Sequence, residues 1–333
     1  MSKNVVLCFD QLRHQPGGGD DTNATALFGL LDESEHQIGW HHLGTPRRAR
    51  RQEALTDARA TIAEAYAFLT RTWEPDDRIL VFGAGRGGYC AQALTRLLST
   101  FGILPPEWDD LVDYAVEAYG LPCTQRTPQE WMRVKRLAAG LSDCSEPEVG
   151  VAYLGLWDAV HPSSLPKPPP TPPSNVETGR HAVALDGVNV GDHLVGVASD
   201  RVDEAWFRGG HCDVTGGEGA CEPLAGITLD WILDGAVAAG ALVRPGGDVA
   251  SPAPSQTDAL AGFARGFSSR RLPADACVHA SVEVYLRAHP EYRRRLPHRV
   301  VWTDHDWLAR GERLVPAAPV TVALRPELTA VAS

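Results

Sequence analysis

The chain has 333 residues, with 31 Lys+Arg against 42 Asp+Glu for a formal charge of −11, and is 44% hydrophobic and 22% charged. That much apolar surface excludes global disorder, and the length allows one large α/β domain or two smaller ones. The acidic balance argues against nucleic acid as the main partner, since phosphate binding needs concentrated Lys and Arg.

The first element is NVVLCFD (4–10), a β-branched apolar run closed by a carboxylate, which predicts a buried strand. QLRHQPGGGDDTN (11–23) is a Gly- and Asp-rich loop, with Thr22 or Asn23 placed to cap a helix over ATALFGLLDE (24–33). Between them and the next helix, IGWHHL (38–43) predicts a second strand, and the basic island Arg47, Arg48, Arg50 and Arg51 reads as a solvated surface. Glu53 to Trp73 is helical, with Ala58, Ile62, Ala65, Tyr66 and Leu69 on one stripe. EPDD (74–77) turns the chain into the buried strand RILVFG, and Tyr89 to Thr100 is a helix with Leu94, Leu97 and Leu98 inward.

Further helices are expected near 109–119 and 128–140, then a third strand, VAYLGLWDAV (151–160), with Asp158 near its end. Residues 161–173 hold seven prolines and predict a polyproline-type surface loop. A strand around EAWFRG (204–209) leads into HCDVTGGEG and the helix AGITLDWILDGAVAAG (225–240), and one more helix is expected near 277–288. Alternating strands and helices imply an α/β fold, a mostly parallel sheet covered by helices on both faces. Elements of the same kind resume after the prolines, so 1–333 reads as a single domain with a peripheral helical segment over 250–333.

The seven cysteines, at 8, 90, 123, 144, 212, 221 and 277, include no Cys-x-x-Cys pair. Neither a disulfide framework nor a zinc site follows, and no metal or other cofactor is called for. The N-terminal apolar run is too short for a secretory signal or a membrane span, so a cytoplasmic protein without a transmembrane segment is expected.

The densest motif is VFGAGRGGYC (81–90). Gly83, Gly85 and Gly88 fit G-x-G-x-x-G, the dinucleotide fingerprint, but the second acidic strand that this chemistry wants about 20 residues on is replaced by FGILPPEWDD. Alternatively, Gly83 and Gly87 flank a G-x-S-x-G elbow with Gly85 where the serine would be. Chain order supports this second reading: elbow, then the strand-end Asp158, then His211 in a Gly-rich loop.

These pieces resemble an uncharacterised α/β-hydrolase family related to the type VI secretion phospholipase effectors. The markers are NVVLCFD, DTN (21–23), AYAFL (65–69), DDRILVFGAGRGGY, FGILP, YLGLWDAV, RHAVALD (180–186), WFRGGHCDV (206–214), ITLDWIL and VHASV, spanning nearly the whole chain. The resemblance implies Asp158 as acid and His211 as base. It sets the nucleophile at Gly85, which has no side chain to attack with. The family reads Phe-Asp-Gly-Thr where this chain has Phe9-Asp10-Gln11-Leu12, and Gly-Phe-Ser-Arg-Gly where it has Gly83-Ala84-Gly85-Arg86-Gly87.

Cys8, Cys90 and Cys212 are the thiols nearest the motif, and each reads as a small buried hydrophobe rather than a substitute nucleophile. Backbone amides of Gln11 and Arg86 remain candidates for an oxyanion hole, and Asp10 and Asp213 for accessory carboxylates, more readily hydrogen-bonded to loop amides than to a metal. His14 and His161 sit in loops expected to border the cleft, whereas Trp157 and Trp206 read as core. Three functional readings stand open. The first is a hydrolase-like protein using a His211–Asp158 dyad as general base on a small-molecule or ester-type ligand, without an acyl-serine. The second is an inactive relative acting through ligand or protein binding, and the third an engineered knock-out of a serine esterase.

Overall fold

A computed structural model describes residues 2–11, 21–44, 51–105, 111–121, 127–141, 148–163, 165, 174–187, 192–197, 199–245, 270–290, 292 and 296–307. His14, Arg47, Arg48, Arg50, Cys123, Cys144 and residues 166–173 of the Pro-rich stretch lie outside them.

The chain opens with β1 (Asn4–Phe9), α1 (Asn23–Leu30), β2 (Gln37–His42), α2 (Arg51–Thr72), β3 (Arg78–Ala84) and α3 (Arg86–Phe101). Next come α4 (Val112–Ala115), which runs into a π-helical turn over Val116–Gly120, and α5 (Pro128–Leu141). The middle third holds β4 (Val151–Trp157), β5 (Val160–Pro162), β6 (Val176–Ala184), β7 (Asp192–Leu194) and β8 (Val202–Phe207). The remaining elements are α6 (His211–Thr215), α7 (Glu222–Ala238), β9 (Ala276–His279), α8 (Ala280–Ala288) and β10 (Val300–Thr303).

Eight strands form one sheet in the order β10-β9-β8-β6-β4-β3-β1-β2, and every neighbouring pair is parallel. β5 and β7 make a separate antiparallel pair that brings His161 opposite His193. Strand alternation feeds two cores. Val5, Leu7 and Phe9 of β1 point with Ile79 and Val81 of β3 toward α2 and α3, where Ile62, Tyr66, Leu94 and Leu97 meet them. Val6, Cys8, Leu80, Phe82 and Trp157 point the other way, toward Leu27 of α1 and Ile227, Trp231 and Ile232 of α7. A sheet buried on both faces explains why the inner strands read as unbroken apolar runs.

Several elements differ from the sequence expectation. The strand over EAWFRG begins two residues earlier, at Val202, and the helix expected near 277–288 is a strand, β9, followed by α8. The C-terminal region, expected to be helical and peripheral, adds β9 and β10 to the main sheet. β6 was legible only as the family marker RHAVALD. Near its start Glu177 and Thr178 are exposed, and the strand has no apolar periodicity there. Trp157 and Trp206 are core residues. Among the described residues, no helix is long and apolar enough to cross a membrane.

Candidate functional site

The carboxyl ends of β1, β3, β4 and β8 converge on one point of the sheet edge, where α/β folds place their ligands. β3 ends at Ala84, Gly85 turns with φ 52° and ψ −117°, and α3 begins at Arg86. This turn is tight because its neighbours are glycines. A Cβ on Gly83 would stand 2.6 Å from Gly88 Cα, and one on Gly87 would stand 2.3 Å from the Phe9 carbonyl oxygen. Strand, turn and helix can therefore pass only with hydrogen in those places.

Asp158 follows β4 directly, in the left-handed region at φ 42°. Its side chain is fully buried, and four donors reach its oxygens. Oδ1 accepts the Ala184 N–H at 2.9 Å, Oδ2 faces His211 Nδ1 at 2.6 Å, and the Arg270 guanidinium takes both oxygens, Nη2 to Oδ2 at 2.9 Å and Nη1 to Oδ1. Burial alone would push this carboxyl up; Arg270 and His211 outweigh it and hold Asp158 well below the usual carboxylate range. An ionised carboxylate only accepts, so His211 Nδ1–H is the donor.

His211 opens α6, presented by Gly209 at φ 107° and Gly210. Its other nitrogen, Nε2, lies 2.7 Å from Gln11 Oε1. The amide orientation is set by Thr215, whose single hydroxyl proton is shared between the backbone carbonyls of His211 and Gly216, both at 3.1 Å, and whose oxygen accepts Gln11 Nε2–H at 3.0 Å. Gln11 Oε1 therefore faces the imidazole at Nε2. Both ring nitrogens of His211 thus face partners within the protein, Nδ1 toward Asp158 and Nε2 toward Gln11. The same Gln11 Oε1 lies 2.1 Å from where a Cβ on Gly85 would be.

Beside Gln11 opens a shallow cleft walled by Phe9, Gln11, His42, Arg86, Tyr89 and Leu165 among others. Gln11, not His211, stands on this wall.

The family model for the type VI secretion system phospholipase effector Tle1-like catalytic domain matches residues 3–235. The chain belongs to the Tle1-like family. The uncharacterized protein YEL023C of Saccharomyces cerevisiae is 29% identical over 213 residues, which are 55% of this chain and 31% of that relative's length. Among solved structures, an uncharacterized protein from Pseudomonas aeruginosa aligns with TM-score 0.44 at 13% identity, over 73% of this chain and 47% of that one. The Tle1 effector bound to the VgrG spike from the Type 6 secretion system aligns with TM-score 0.39 at 15% identity, over 65% of this chain and 51% of that one.

Of the residues picked out by sequence in this Tle1-like chain, Gln11, Gly85, Asp158 and His211 come together, and Arg86 lies next to Gly85. The Gln11 N–H, expected as an oxyanion donor, instead donates to Asp10 Oδ1 at 2.6 Å. Asp10 Oδ2 accepts the hydroxyls of Thr22 at 2.5 Å and Thr25 at 2.6 Å, so this carboxylate ties the loop after β1 to the start of α1. Asp213 accepts the N–H groups of Gly210 at 2.8 Å and Cys221 at 2.9 Å; burial pushes its carboxyl up, against these bonds. Among the described residues, no three His, Cys, Asp or Glu side chains cluster as metal ligands would.

Cys90 reaches the cleft wall, but burial pushes its thiol up to about 12, and Cys8 is raised by burial and by Asp10 while its Sγ donates to the Ala24 carbonyl. Neither thiol is poised to ionise. Two residues escaped sequence reasoning. His181 is buried beneath Asp158, where Nε2 accepts the Ala159 N–H at 3.1 Å and Nδ1 lies 3.1 Å from Glu204 Oε2. Its signal was present in RHAVALD. Arg270 carries no sequence signal, and it lies beyond the Tle1-like match.

Proposed function

We propose that this protein is a hydrolase-fold binding protein, in which the place of a nucleophilic serine has been taken over by the carboxamide of Gln11. The observation that carries the reading is the position of Gln11 Oε1, 2.7 Å from His211 Nε2 and 2.1 Å from the site of a Gly85 Cβ. In a Ser-His-Asp hydrolase both places belong to the serine side chain, whose hydroxyl hydrogen-bonds the imidazole that takes its proton. A glycine at 85 and a long amide at 11 are thus two halves of one exchange: one residue gives up the space and the other fills it. A general-base role for His211 needs a lone pair on Nε2 directed at a ligand, and the Gln11 oxygen occupies that direction. The cleft beside Gln11 and Arg86 supports binding of a small acyl- or ester-type molecule without turnover.

The test is to reverse the exchange. Gly85→Ser combined with Gln11→Gly is expected to gain hydrolysis of short-chain p-nitrophenyl esters, with the unaltered protein and both single variants inactive. Turnover by the unaltered protein that disappears in His211→Ala would overturn the binding reading. A well-folded double variant that hydrolyses nothing would remove the assignment of Gly85 to the serine's place.

A further inference from the structure

We infer that Arg270 is the positioning residue of this site, and that the Asp158–His211–Gln11 chain is held in register by a group from outside the family's catalytic stretch. The matched stretch ends at residue 235, whereas the guanidinium that grips Asp158 comes from residue 270. The site is therefore complete only when the C-terminal region is in place.

Geometry supports a positioning role over that of a simple counter-ion. Arg270 uses two nitrogens, one on each oxygen of Asp158, and Nη1 also donates to the Ala184 carbonyl at 3.0 Å. A planar fork on a planar carboxylate fixes the plane of that carboxylate, which a point charge cannot do. Ala184 closes the arrangement, since its N–H donates to Asp158 Oδ1 while its carbonyl accepts from Arg270. The arginine is itself seated: its side chain is 3% exposed, and a Cβ on Gly187 would stand 2.4 Å from its Cζ. Gly187 thus leaves the room that the guanidinium occupies.

His211, by contrast, is 32% exposed at its side chain. Its ring is held between two polar partners, Asp158 at Nδ1 and Gln11 at Nε2. Whatever fixes the plane of Asp158 fixes the direction of Nδ1–H, and through the rigid ring it fixes where Nε2 points.

The inference rests on the reading of His211 as an imidazole capped by Gln11, and the experiment separates the two. The readout is carbethoxylation of His211 by diethylpyrocarbonate, followed by mass spectrometry, with His36 (54% exposed at its side chain) as internal reference. Gln11→Gly tests the cap, and is expected to raise His211 labelling. Arg270→Lys keeps the charge and loses the fork. Gly187→Ala keeps the arginine and pushes its guanidinium aside. Both are expected to raise His211 labelling about tenfold, the population change expected when one hydrogen bond to a charged group no longer holds the ring. His36 labelling stays constant in every variant. If Gln11→Gly exposes His211 while Arg270→Lys and Gly187→Ala leave it protected, Arg270 is only a counter-ion and the inference fails. If Gln11→Gly leaves His211 protected, the capping reading fails instead. Arg270→Gln leaves a buried carboxylate without its cation, so the two milder variants carry the test.

Discussion

Gln11 Oε1 lies 2.1 Å from the point at which a Cβ on Gly85 would stand, so a side chain at 85 and this placement of the Gln11 amide exclude each other. Gly85 also has φ 52°, where any L side chain is strained by about 1–3 kcal/mol. Gly85→Ser alone is therefore expected to lower stability by at least that strain, since the hydroxymethyl group must also displace Gln11 from His211 and Thr215. Urea denaturation of Gly85→Ser and of the double variant with Gln11→Gly checks this. The double variant should recover part of the loss, and strictly additive effects of the two substitutions would contradict a shared space.

Asp158 links the site to acid stability. Its carboxyl is held low in the folded state, against burial, by Arg270 and His211. A depressed carboxylate contributes its stability in full above its unfolded value, about 3.9, and loses it as the pH falls through the folded value. Asp158→Asn leaves Arg270 buried without its anion and should cost about 3–5 kcal/mol at pH 7. The gap between variant and parent should then narrow as the medium is acidified below about pH 4. Urea melts at pH 7 and through the acid range measure the gap. A gap that stays constant into strong acid would show that the charge of Asp158 contributes nothing.

His181 fixes the loop that carries Asp158. Its Nε2 accepts the Ala159 N–H, which leaves Nδ1–H to donate to Glu204, and the next amide, Val160 N–H, donates to the Gly85 carbonyl at 3.0 Å. One buried ring thus ties the Asp158 loop to β6 and β8. His181→Ala should cost about 1–3 kcal/mol, because it leaves the Ala159 N–H buried without an acceptor. Hydrogen exchange at that amide should accelerate by more than the global loss of stability accounts for. Exchange that tracks global unfolding alone would argue against a local anchor.

How much of this was readable beforehand follows burial. β1, β3 and β4 lie inside the sheet with both faces covered, so NVVLCF, RILVFG and VAYLGLW announce themselves as apolar runs. β10 is an edge strand with Val301 about half exposed, and four residues are too few for a period to emerge. The positions of Gly85, Asp158 and His211 were legible because each sits in a short motif at a strand end. The coupling of Gln11 to Gly85 was not: both departures were visible, but only the direction of a missing Cβ shows that they fill one space. Arg270 was invisible for a simpler reason. An arginine among polar neighbours reads as solvated surface, and nothing local marks the buried carboxylate it meets.

The glycines divide sharply by what surrounds them, which gives a test of the turn at Gly85 that does not depend on activity. A Cβ on Gly87 would meet the backbone oxygens of Phe9 and Asp10 at 2.3 and 2.7 Å, atoms that cannot rotate away. Gly87→Ala must push the start of α3 off β1, so it is expected to yield little folded protein. Gly88→Ala is a milder case, since its Cβ would meet the Ala159 side chain at 2.6 Å and the loop after β4 has to retreat. Gly29 lies inside α1 with nothing within 4 Å of an added Cβ. Gly29→Ala should therefore stabilise the protein by about 0.5–1 kcal/mol, chiefly by restricting the unfolded chain. Soluble yield and thermal melts of the three variants should rank 29 above 88 above 87. A folded, unperturbed Gly87→Ala would mean that β1 and α3 do not approach as closely as the turn at Gly85 requires.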